Sequence, residues 1–441
     1  MISENESAQL DVGSKMHQFA RDLWDLPRSI TGDGVRDTLR LIRERLPELS
    51  LNEVPSGTVV GDWVVPPEWN LRRARLLDDN GTVICDTKDS NLHIVGYSIP
   101  FHGEVDLDEL QAHLFSIPEQ PDAIPYVTSY YERRWGFCLP HRIRETLRPG
   151  KYLVDIDTTL GDGSLTYAEY ILPGAVEREI FISTYVCHPA MANNEISGPV
   201  VATELADYLS RLSQRRYTYR FVFAPETIGA ITYIHQHGTQ WCSNVSAAFN
   251  LTCLGDDRSY SLLPTKRGNQ YVDRVARHVL SHLAPSFREY PWSSRGSDER
   301  QYAAPLVDLP MISIMRSKYW EYPEYHTSLD DLHNVVTPAG LHGGFEALRR
   351  VIEILENDVR PRTLVIGEPM LGKRGLYSSL GAGRTSIGTH VLLDVWSYCD
   401  GSVSSLEIAE QLQIPFSVVQ HALSILIDNE LITVSPEIVL R

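Results

Sequence analysis

Residues 178–198, REIFISTYVCHPAMANNEISG, combine the pattern of a buried strand with a polar loop and the start of a helix. The apolar run that ends at Cys187 is typical of a strand covered on both faces of a parallel sheet. His188 follows this run directly, and the amphipathic segment 199–213, PVVATELADYLSRLS, begins after Gly198. A strand that leads through polar residues into a helix is the repeating unit of an α/β fold.

The same alternation continues along the chain. Further strands are predicted at 219–226 (YRFVFAPE), 243–257 (SNVSAAFNLTCLGDD) and 309–317 (LPMISIMRS), and helices at 231–238 and 271–283. This alternation predicts an α/β fold class with a mostly parallel sheet and helices on both faces. Such sheets bind ligands at the carboxyl ends of their strands, where most polar clusters of this sequence lie.

Two flanking regions differ from this core. Helices are predicted at 18–26 and 34–46, and residues 55–117 show short alternating runs separated by turn signals such as DNG at 79–81. This pattern predicts a small inserted β-rich domain. The core domain would then comprise residues 1–54 and 118–362.

The last part of the chain, residues 363–441, is predicted to form a linker and a winged-helix domain. A Gly- and Ser-rich stretch is followed by predicted helices at 389–398, 405–412 and 415–429 and a strand at 431–436. Residues 383–441 contain two basic and seven acidic residues, so the phosphate contacts that dominate DNA affinity are missing. We expect a packing or protein–protein role, compatible with a homo-oligomer.

The composition excludes several classes of partner. Forty Lys and Arg against 57 Asp and Glu give a formal net charge of −17, without general attraction for nucleic acid or anionic lipid. No apolar run approaches the ~18–20 residues that span a bilayer. Residues 1–15 lack the features of a signal peptide, and the six cysteines form no CxxC pair. We expect a cytoplasmic protein with reduced, buried cysteines and no nucleic-acid or membrane partner.

Two strand ends carry candidate site residues. His188 and Glu195 lie seven residues apart and are suited to bind a divalent metal, although Asn194 and Ser197 could equally make this loop a helix cap. Glu226 ends the next strand and could be a ligand or a general base, or could simply pair with a helix dipole.

Two later segments contain the remaining candidates. Asp298 belongs to the polar segment 295–302, RGSDERQY, which could also be a solvated loop. His326 is followed four residues later by Asp330, a spacing that suits a metal ligand oriented by a carboxylate. A lone histidine with a structural role remains the alternative.

The order of these clusters resembles that of the zinc-dependent co-catalytic aminopeptidases with a phosphorylase/hydrolase-like fold. That family presents a His after one strand, an A-N-D-N-x-S-G loop, a strand-end Glu-Glu pair, an Asp after the next strand, an S-D-H loop and a Y-H-T-x-x-D motif. Here the segments NNEISG (193–198), PETIG (225–229), SDE (297–299) and YHTSLD (325–330) occupy the corresponding places.

Nearly the whole chain also resembles bacterial aminopeptidase-like proteins that are often labelled polysaccharide biosynthesis proteins. The resemblance is carried by segments such as DLPRSITGDGVRDTLR (25–40), EVPSGTVVGDWVVPPEWN (53–70) and RSKYWEYPEYHTSLDDL (316–332). It implies the α/β fold with both the inserted β-rich domain and the winged-helix tail.

The chain departs from the active aminopeptidase pattern at its ligand positions. Asn194 stands where the resemblance places the metal-bridging Asp, Thr252 where it places another Asp, and Glu226 alone replaces the Glu-Glu pair. The loss of these ligands argues against two metals.

The resemblance instead implies one zinc per chain, bound by His188, Glu195 and His326 with an open fourth position. In this interpretation Glu226 is the general base, and Asp298 lines the pocket or replaces a lost ligand. Asp330 would orient His326. The predicted substrate contacts come from Asn194, Glu299, Tyr325 and Arg28, of which Arg28 would bind a substrate carboxylate.

The leading hypothesis is a zinc-dependent hydrolase of an amide or peptide-like bond. Amide-forming acyl transfer in natural-product or glycan biosynthesis could use the same pocket. A non-catalytic scaffold that binds an amide-bearing ligand or a partner protein is the third interpretation.

Overall fold

The computed structural model describes residues 4–376 and 388–436. Its helices are α1 (Glu4–Trp24), α2 (Asp33–Arg45), α3 (Leu107–Gln111), α4 (His141–Glu145), α5 (Ser197–Ser210), α6 (Ile228–His237), α7 (Tyr271–Leu283), α8 (Glu299–Tyr302), α9 (Pro338–Asn357), α10 (Thr389–Ser397), α11 (Ser405–Leu412) and α12 (Phe416–Asp428). None of the described helices is both long and apolar enough to cross a membrane.

The strands are β1 (Ser50–Pro55), β2 (Val59–Val60), β3 (Trp63–Val64), β4 (Glu68–Leu77), β5 (Val83–Asp86), β6 (Phe101–Asp106), β7 (Leu114–Phe115), β8 (Phe137–Cys138), β9 (Lys151–Gly161), β10 (Ser164–Leu172), β11 (Glu179–Tyr185), β12 (Thr218–Ala224), β13 (Val245–Leu251), β14 (Ser261–Leu263), β15 (Arg288–Glu289), β16 (Met311–Met315), β17 (Val359–Thr363) and β18 (Ile432–Pro436).

The chain divides into two compact units. The first comprises Met1–Gly268 and Arg288–Glu346, and the second comprises Asn269–Phe287 and Ala347–Arg441. The second unit therefore includes α7, which the sequence pattern alone had grouped with the α/β core.

An eight-stranded sheet forms the centre of the first unit, in the order β1-β10-β12-β11-β13-β16-β14-β15. The four middle strands β12, β11, β13 and β16 are parallel, whereas β10 and β14 add antiparallel edges. Every residue of β11 is buried because this strand lies between two parallel neighbours, which explains the apolar run Ile180–Ile182. The mostly parallel sheet is confirmed.

Helix α5 lies very close to the sheet at its first turn. A Cβ on Gly198 would lie 2.4 Å from Thr184 Oγ1 and 2.5 Å from the carbonyl oxygen of Leu251, so only glycine fits there. The preceding residues Ala192–Ile196 form a single π-helical turn, a feature often found at functional sites. The loop after β11 is therefore pressed against the ends of two strands.

A second, four-stranded sheet has the order β5-β4-β9-β6. Three of its strands come from the segment predicted as β-rich, and its longest contact is between β4 and β9, which pair over Glu68–Leu77. The hairpin formed by β2 and β3 belongs to the same segment. The first predicted helix is longer than its pattern indicated, because α1 begins at Glu4.

The second unit contains the C-terminal helices α10, α11 and α12 and the antiparallel pair of β17 with β18. Helix α11 begins with a capping box in which Ser404 and Glu407 bind each other's backbone amides. These elements match the predicted helices and strand, and the predicted linker lies partly outside the described residues, at 377–387. All six cysteines are free and buried, as expected.

We expect the variant Gly198→Ala to lower the free energy of unfolding by about 1–3 kcal/mol, because the added methyl group overpacks the contact between α5 and the sheet. Gly161→Ala is the matched control, since no atom lies within 4 Å of its added Cβ. Urea unfolding followed by circular dichroism measures both variants. Equal stability of the two would contradict the close contact.

Candidate active site

The candidate site lies at the carboxyl ends of the parallel strands. His188 follows β11 and Glu226 follows β12, and the two side chains meet because these strands are neighbours. His188 Nε2 lies 3.6 Å from Glu226 Oε2. Glu226 keeps 23% of its side chain exposed, whereas His188 is buried. A carboxylate in this position can reach both the imidazole and a bound molecule.

A buried ion pair between Arg28 and Glu195 fixes the position of the His188 ring. Glu195 Oε2 binds His188 Nδ1 at 2.8 Å, and Glu195 Oε1 accepts the amide hydrogen of Cys187. Arg28 Nε lies 3.5 Å from Glu195 Oε1 and donates to the carbonyl oxygen of His188 at 2.9 Å. From Arg28 to Glu226, cationic and anionic side chains therefore alternate through Glu195 and His188.

The electrostatic environment shifts the pKa of both reactive groups. Burial alone would lower the pKa of His188, but the hydrogen bond and charge of Glu195 together with the charge of Glu226 raise it above its usual value. Burial raises the pKa of Glu226, and the charge of His188 offsets part of this rise. A carboxylate whose pKa is raised is a stronger base, which suits general base catalysis.

The residue after Glu226 has a strained backbone that positions the carboxylate. Thr227 has φ 62°, a left-handed conformation that a β-branched residue rarely adopts. Asp298 Oδ1 accepts the Thr227 amide hydrogen at 2.7 Å, and Arg300 Nη2 donates to Thr227 Oγ1 at 2.9 Å. Asp298 is buried and acts on the loop of Glu226. Burial and the charge of Glu226 raise the pKa of Asp298 well above its usual value.

His188 and Glu226 border a cavity of about 430 Å³ with an aromatic wall. The lining residues are Ile30, Trp63, Tyr126, Thr128, Tyr130, Tyr131, Cys187, His188, Glu226, Thr227, Ile228, Arg300 and His326. The hydroxyl groups of Tyr126 and Tyr130 are hydrogen-bonded to each other at 2.6 Å. Burial raises the pKa of both tyrosines well above the usual value, so both hydroxyls keep their protons.

His326 is the second imidazole at this cavity. Its ring stacks on Tyr325 with centroids 3.9 Å apart, and its centroid lies 5.7 Å from that of His188. Tyr126 contacts both histidines edge-on and donates its amide hydrogen to the carbonyl oxygen of His326. Burial and the charge of His188 lower the pKa of His326 to about 3, which keeps this imidazole neutral.

The donor atoms do not form the predicted zinc site. Among the described residues, the group of three potential ligands within 4.8 Å of one another is Cys187, His188 and Glu195, and it does not include His326. The charge of Glu195 is already neutralised by Arg28 and by the imidazole of His188. Two of the three predicted ligands, His188 and Glu195, therefore lie together with Cys187, whereas His326 lies outside this group and Glu195 orients His188.

The positions that carry aspartates in the zinc aminopeptidases are also occupied by neutral groups. Thr252 Oγ1 and Asn194 Nδ2 both hydrogen-bond to Tyr185 Oη, at 2.5 and 2.7 Å. Asn194 Oδ1 is buried with no hydrogen-bond partner among the described residues. One neutral oxygen does not replace the missing carboxylates, so the residues present do not fit a zinc ion of the expected kind.

Two further predicted roles are corrected by the geometry. Arg28 is buried beside Glu195 and is not among the residues that line this cavity, so the cavity does not support its predicted contact with a substrate carboxylate. Asp330 accepts the amide hydrogens of Asn193 and Asn194 and the hydroxyl of Tyr322, instead of orienting His326. Both residues stabilise the loop that carries Glu195.

The remaining predicted substrate contacts lie behind the cavity wall. Glu299 is buried, and its carboxylate is occupied by Tyr319 Oη, by Asn250 Nδ2 and by the backbone amides of residues 296 and 297. Tyr325 supports the ring of His326. Neither residue is among those that line the cavity.

The aromatic residues of the cavity and Arg300 were not predicted as site residues from the sequence. Tyr126, Tyr130 and Tyr131 lie in one loop, and Trp63 comes from the hairpin of β2 and β3. The available signal was the density of aromatic residues in PYVTSYYERRW (125–135), within a stretch that had no recognisable helix or strand pattern.

Two family models match the chain. The model of DUF4910, described as a domain of unknown function, matches residues 17–358, and a winged helix-turn-helix model matches residues 359–434. The chain belongs to the DUF4910 family. The winged-helix prediction for the C-terminal residues is confirmed by the second match.

A curated relative and a solved structure from Clostridium acetobutylicum are similar over almost the whole chain. The relative, named a polysaccharide biosynthesis protein with an aminopeptidase-like domain, is 38% identical over 431 residues and covers 96% of each chain. The crystal structure, named a peptidase, has 37% identity and a TM-score of 0.90 and covers 97% of this chain and 98% of that one.

The fold itself extends to distant enzymes. A zinc aminopeptidase from Bacillus subtilis matches 78% of this chain and 94% of its own, with 12% identity and a TM-score of 0.56. This match confirms the aminopeptidase-like α/β fold that the motif order implied.

We expect Arg28→Met to lower the free energy of unfolding by about 3–5 kcal/mol, because it leaves the buried carboxylate of Glu195 without its guanidinium partner. Arg40→Met is the control, since the side chain of Arg40 is 56% exposed and its pair with Asp37 is worth about 0–1 kcal/mol. Chemical unfolding measures both. Adding Glu195→Gln to Arg28→Met is expected to restore part of the lost stability. Equal losses of stability in Arg28→Met and Arg40→Met would contradict the pairing of Arg28 with Glu195.

Proposed function

We propose that this protein acts on an amide or peptide-like bond held in the aromatic cavity, with Glu226 as the general base. The observation that carries the proposal is the pairing of a half-buried carboxylate with His188 at the edge of a cavity large enough for a small substrate. The strained Thr227 and its two hydrogen bonds hold the carboxylate at this edge. The aminopeptidase-like fold of its relatives supports the same chemistry.

In hydrolysis, Glu226 accepts a proton from water as the water oxygen bonds to the carbonyl carbon. The carbon–nitrogen bond then breaks, and the proton held by Glu226 passes to the leaving nitrogen, which departs as an amine. Glu195 and Glu226 both raise the pKa of His188, which favours its charged form beside the reacting groups. Each step uses groups that border the cavity.

The carbonyl oxygen gains negative charge in this reaction and needs a hydrogen-bond donor. Tyr126 and Tyr130 share one hydrogen bond between their two hydroxyl groups, which leaves the second hydroxyl proton for the carbonyl oxygen. Because burial keeps both tyrosines protonated, they act as donors at neutral pH. In this proposal the tyrosine pair stabilises the negative charge on the carbonyl oxygen, as the metal ion does in a zinc enzyme.

Acyl transfer is the second candidate reaction at the same site. An amine would replace water as the nucleophile, and Glu226 would accept its proton as the amine nitrogen bonds to the carbonyl carbon. The original carbon–nitrogen bond would then break, and the proton held by Glu226 would pass to the departing amine, so that one amide is exchanged for another. The name of the Clostridium acetobutylicum relative, which places that protein in polysaccharide biosynthesis, favours this alternative. No zinc is included in either reaction, because the donor groups present do not fit it.

Glu226→Gln is expected to reduce turnover by about 10²–10⁴-fold, because it removes the proton acceptor and keeps the shape of the side chain. Glu321→Gln, an exposed carboxylate on the surface, is the control. A panel of acyl amides is incubated with and without an added amine, and products are identified by mass spectrometry. Wild-type protein that converts no amide under either condition would support a binding scaffold and contradict the proposal.

Measuring the zinc content of the protein tests whether the proposed mechanism operates without zinc. We expect protein purified without added metal to contain far less than one zinc per chain, and its activity to persist in the presence of a chelator. Elemental analysis and an assay with EDTA measure the two quantities. Stoichiometric zinc that is lost in His188→Ala would restore the zinc-dependent mechanism.

A further inference from the structure

Arg300 is an exposed cation on the edge of the cavity. Its Nη2 atom donates to Thr227 Oγ1 at 2.9 Å, and Thr227 is the neighbour of Glu226 in the chain. The positive charge of Arg300 also acts on the carboxyl groups of Glu226 and Asp298. Thr227 thus orients the guanidinium of Arg300 and also positions Glu226, the proposed general base.

Two large aromatic side chains also border this cavity. Trp63 is 40% exposed and Tyr131 is 58% exposed, and their ring centroids are 6.2 Å apart. They come from separate segments, the hairpin of β2 and β3 and the loop that carries Tyr126. Exposed aromatic rings that converge on one cavity are typical of a surface that binds a flat apolar group.

We propose, on the basis of the proposed function, that the substrate is an N-acyl amino acid whose carboxylate binds Arg300 and whose flat apolar group packs against Trp63 and Tyr131. The amide bond of such a molecule is separated from its carboxylate by one carbon atom. Because Arg300 is anchored on the residue next to Glu226, a carboxylate on Arg300 places the amide beside the general base. Arg300 thus has the role that the sequence suggested for Arg28.

The charges around the cavity favour a carboxylate over a phosphate. Glu226 borders the cavity and Asp298 lies behind it on the Thr227 amide, so the region already contains two carboxyl groups. A singly charged carboxylate meets less repulsion there than a doubly charged phosphate, and the planar fork of Arg fits its two oxygens. The aromatic wall adds the apolar contact that inorganic anions lack.

Titration calorimetry with N-acetyl-L-tryptophan, its carboxamide and phenyl phosphate tests the proposal with the full chain. The acid is expected to bind at least about tenfold more tightly than the carboxamide and than phenyl phosphate. Arg300→Gln should remove this preference, Arg300→Lys should restore part of it, and the exposed Arg295→Gln should leave it unchanged. Trp63→Ala should weaken the binding of N-acetyl-L-tryptophan and leave the binding of N-acetylglycine nearly unchanged.

Several outcomes would overturn the proposal: equal binding of acid and carboxamide, no binding of either, tighter binding of phenyl phosphate, or an unchanged preference in a folded Arg300→Gln variant. The titration measures binding alone, whereas turnover of the same compounds tests the proposed function. Binding through Arg300 without hydrolysis or acyl transfer would therefore support this assignment and contradict the proposed chemistry.

Discussion

Taking the guanidinium of Arg28 out of water is costly unless a carboxylate accompanies it, and Glu195 is that carboxylate. The pair does more than cancel charge, because Glu195 also fixes His188 through Nδ1 and Arg28 binds the carbonyl oxygen of the same histidine. The direction of the His188 ring, and hence its contact with Glu226, depends on this buried pair. Cationic and anionic side chains therefore alternate from Arg28 to Glu226.

The fold was largely predictable because its signals are local. The parallel strands are continuous apolar runs, and α7 shows the helical period from Tyr271 to Leu283, which are also its observed ends. His188 and Glu226 were found because polar residues after such strands gather at one sheet edge. The pairing of Arg28 with Glu195 was not predictable, because it joins residues far apart in the chain that no pattern links. The aromatic wall likewise comes from a loop without periodicity.

The match with the zinc aminopeptidases is a match of fold, and the site has to be described from the residues of this chain. Asn194 and Thr252, at positions where the motif order implied aspartates, are neutral groups hydrogen-bonded to Tyr185. The strand ends still deliver His188 and His326 to one cavity, since the sheet dictates their position. Tyr126 and Tyr130 add a hydrogen-bonded pair of hydroxyl groups to this cavity. The family motifs thus locate the cavity, whereas the donor atoms found there differ from the set that the motif order implied.

The distance in sequence between Arg28 and Glu195 has a consequence for the growing chain. Arg28 leaves the ribosome about 170 residues before Glu195, which neutralises it, and at about 5–20 residues per second this amounts to roughly 10–30 s of synthesis. During that interval the first two helices can form, but the loop between them carries a cation without its carboxylate partner. The N-terminal segment can therefore pack with its charge paired only after the centre of the sheet has been synthesised, and the site is completed after that point.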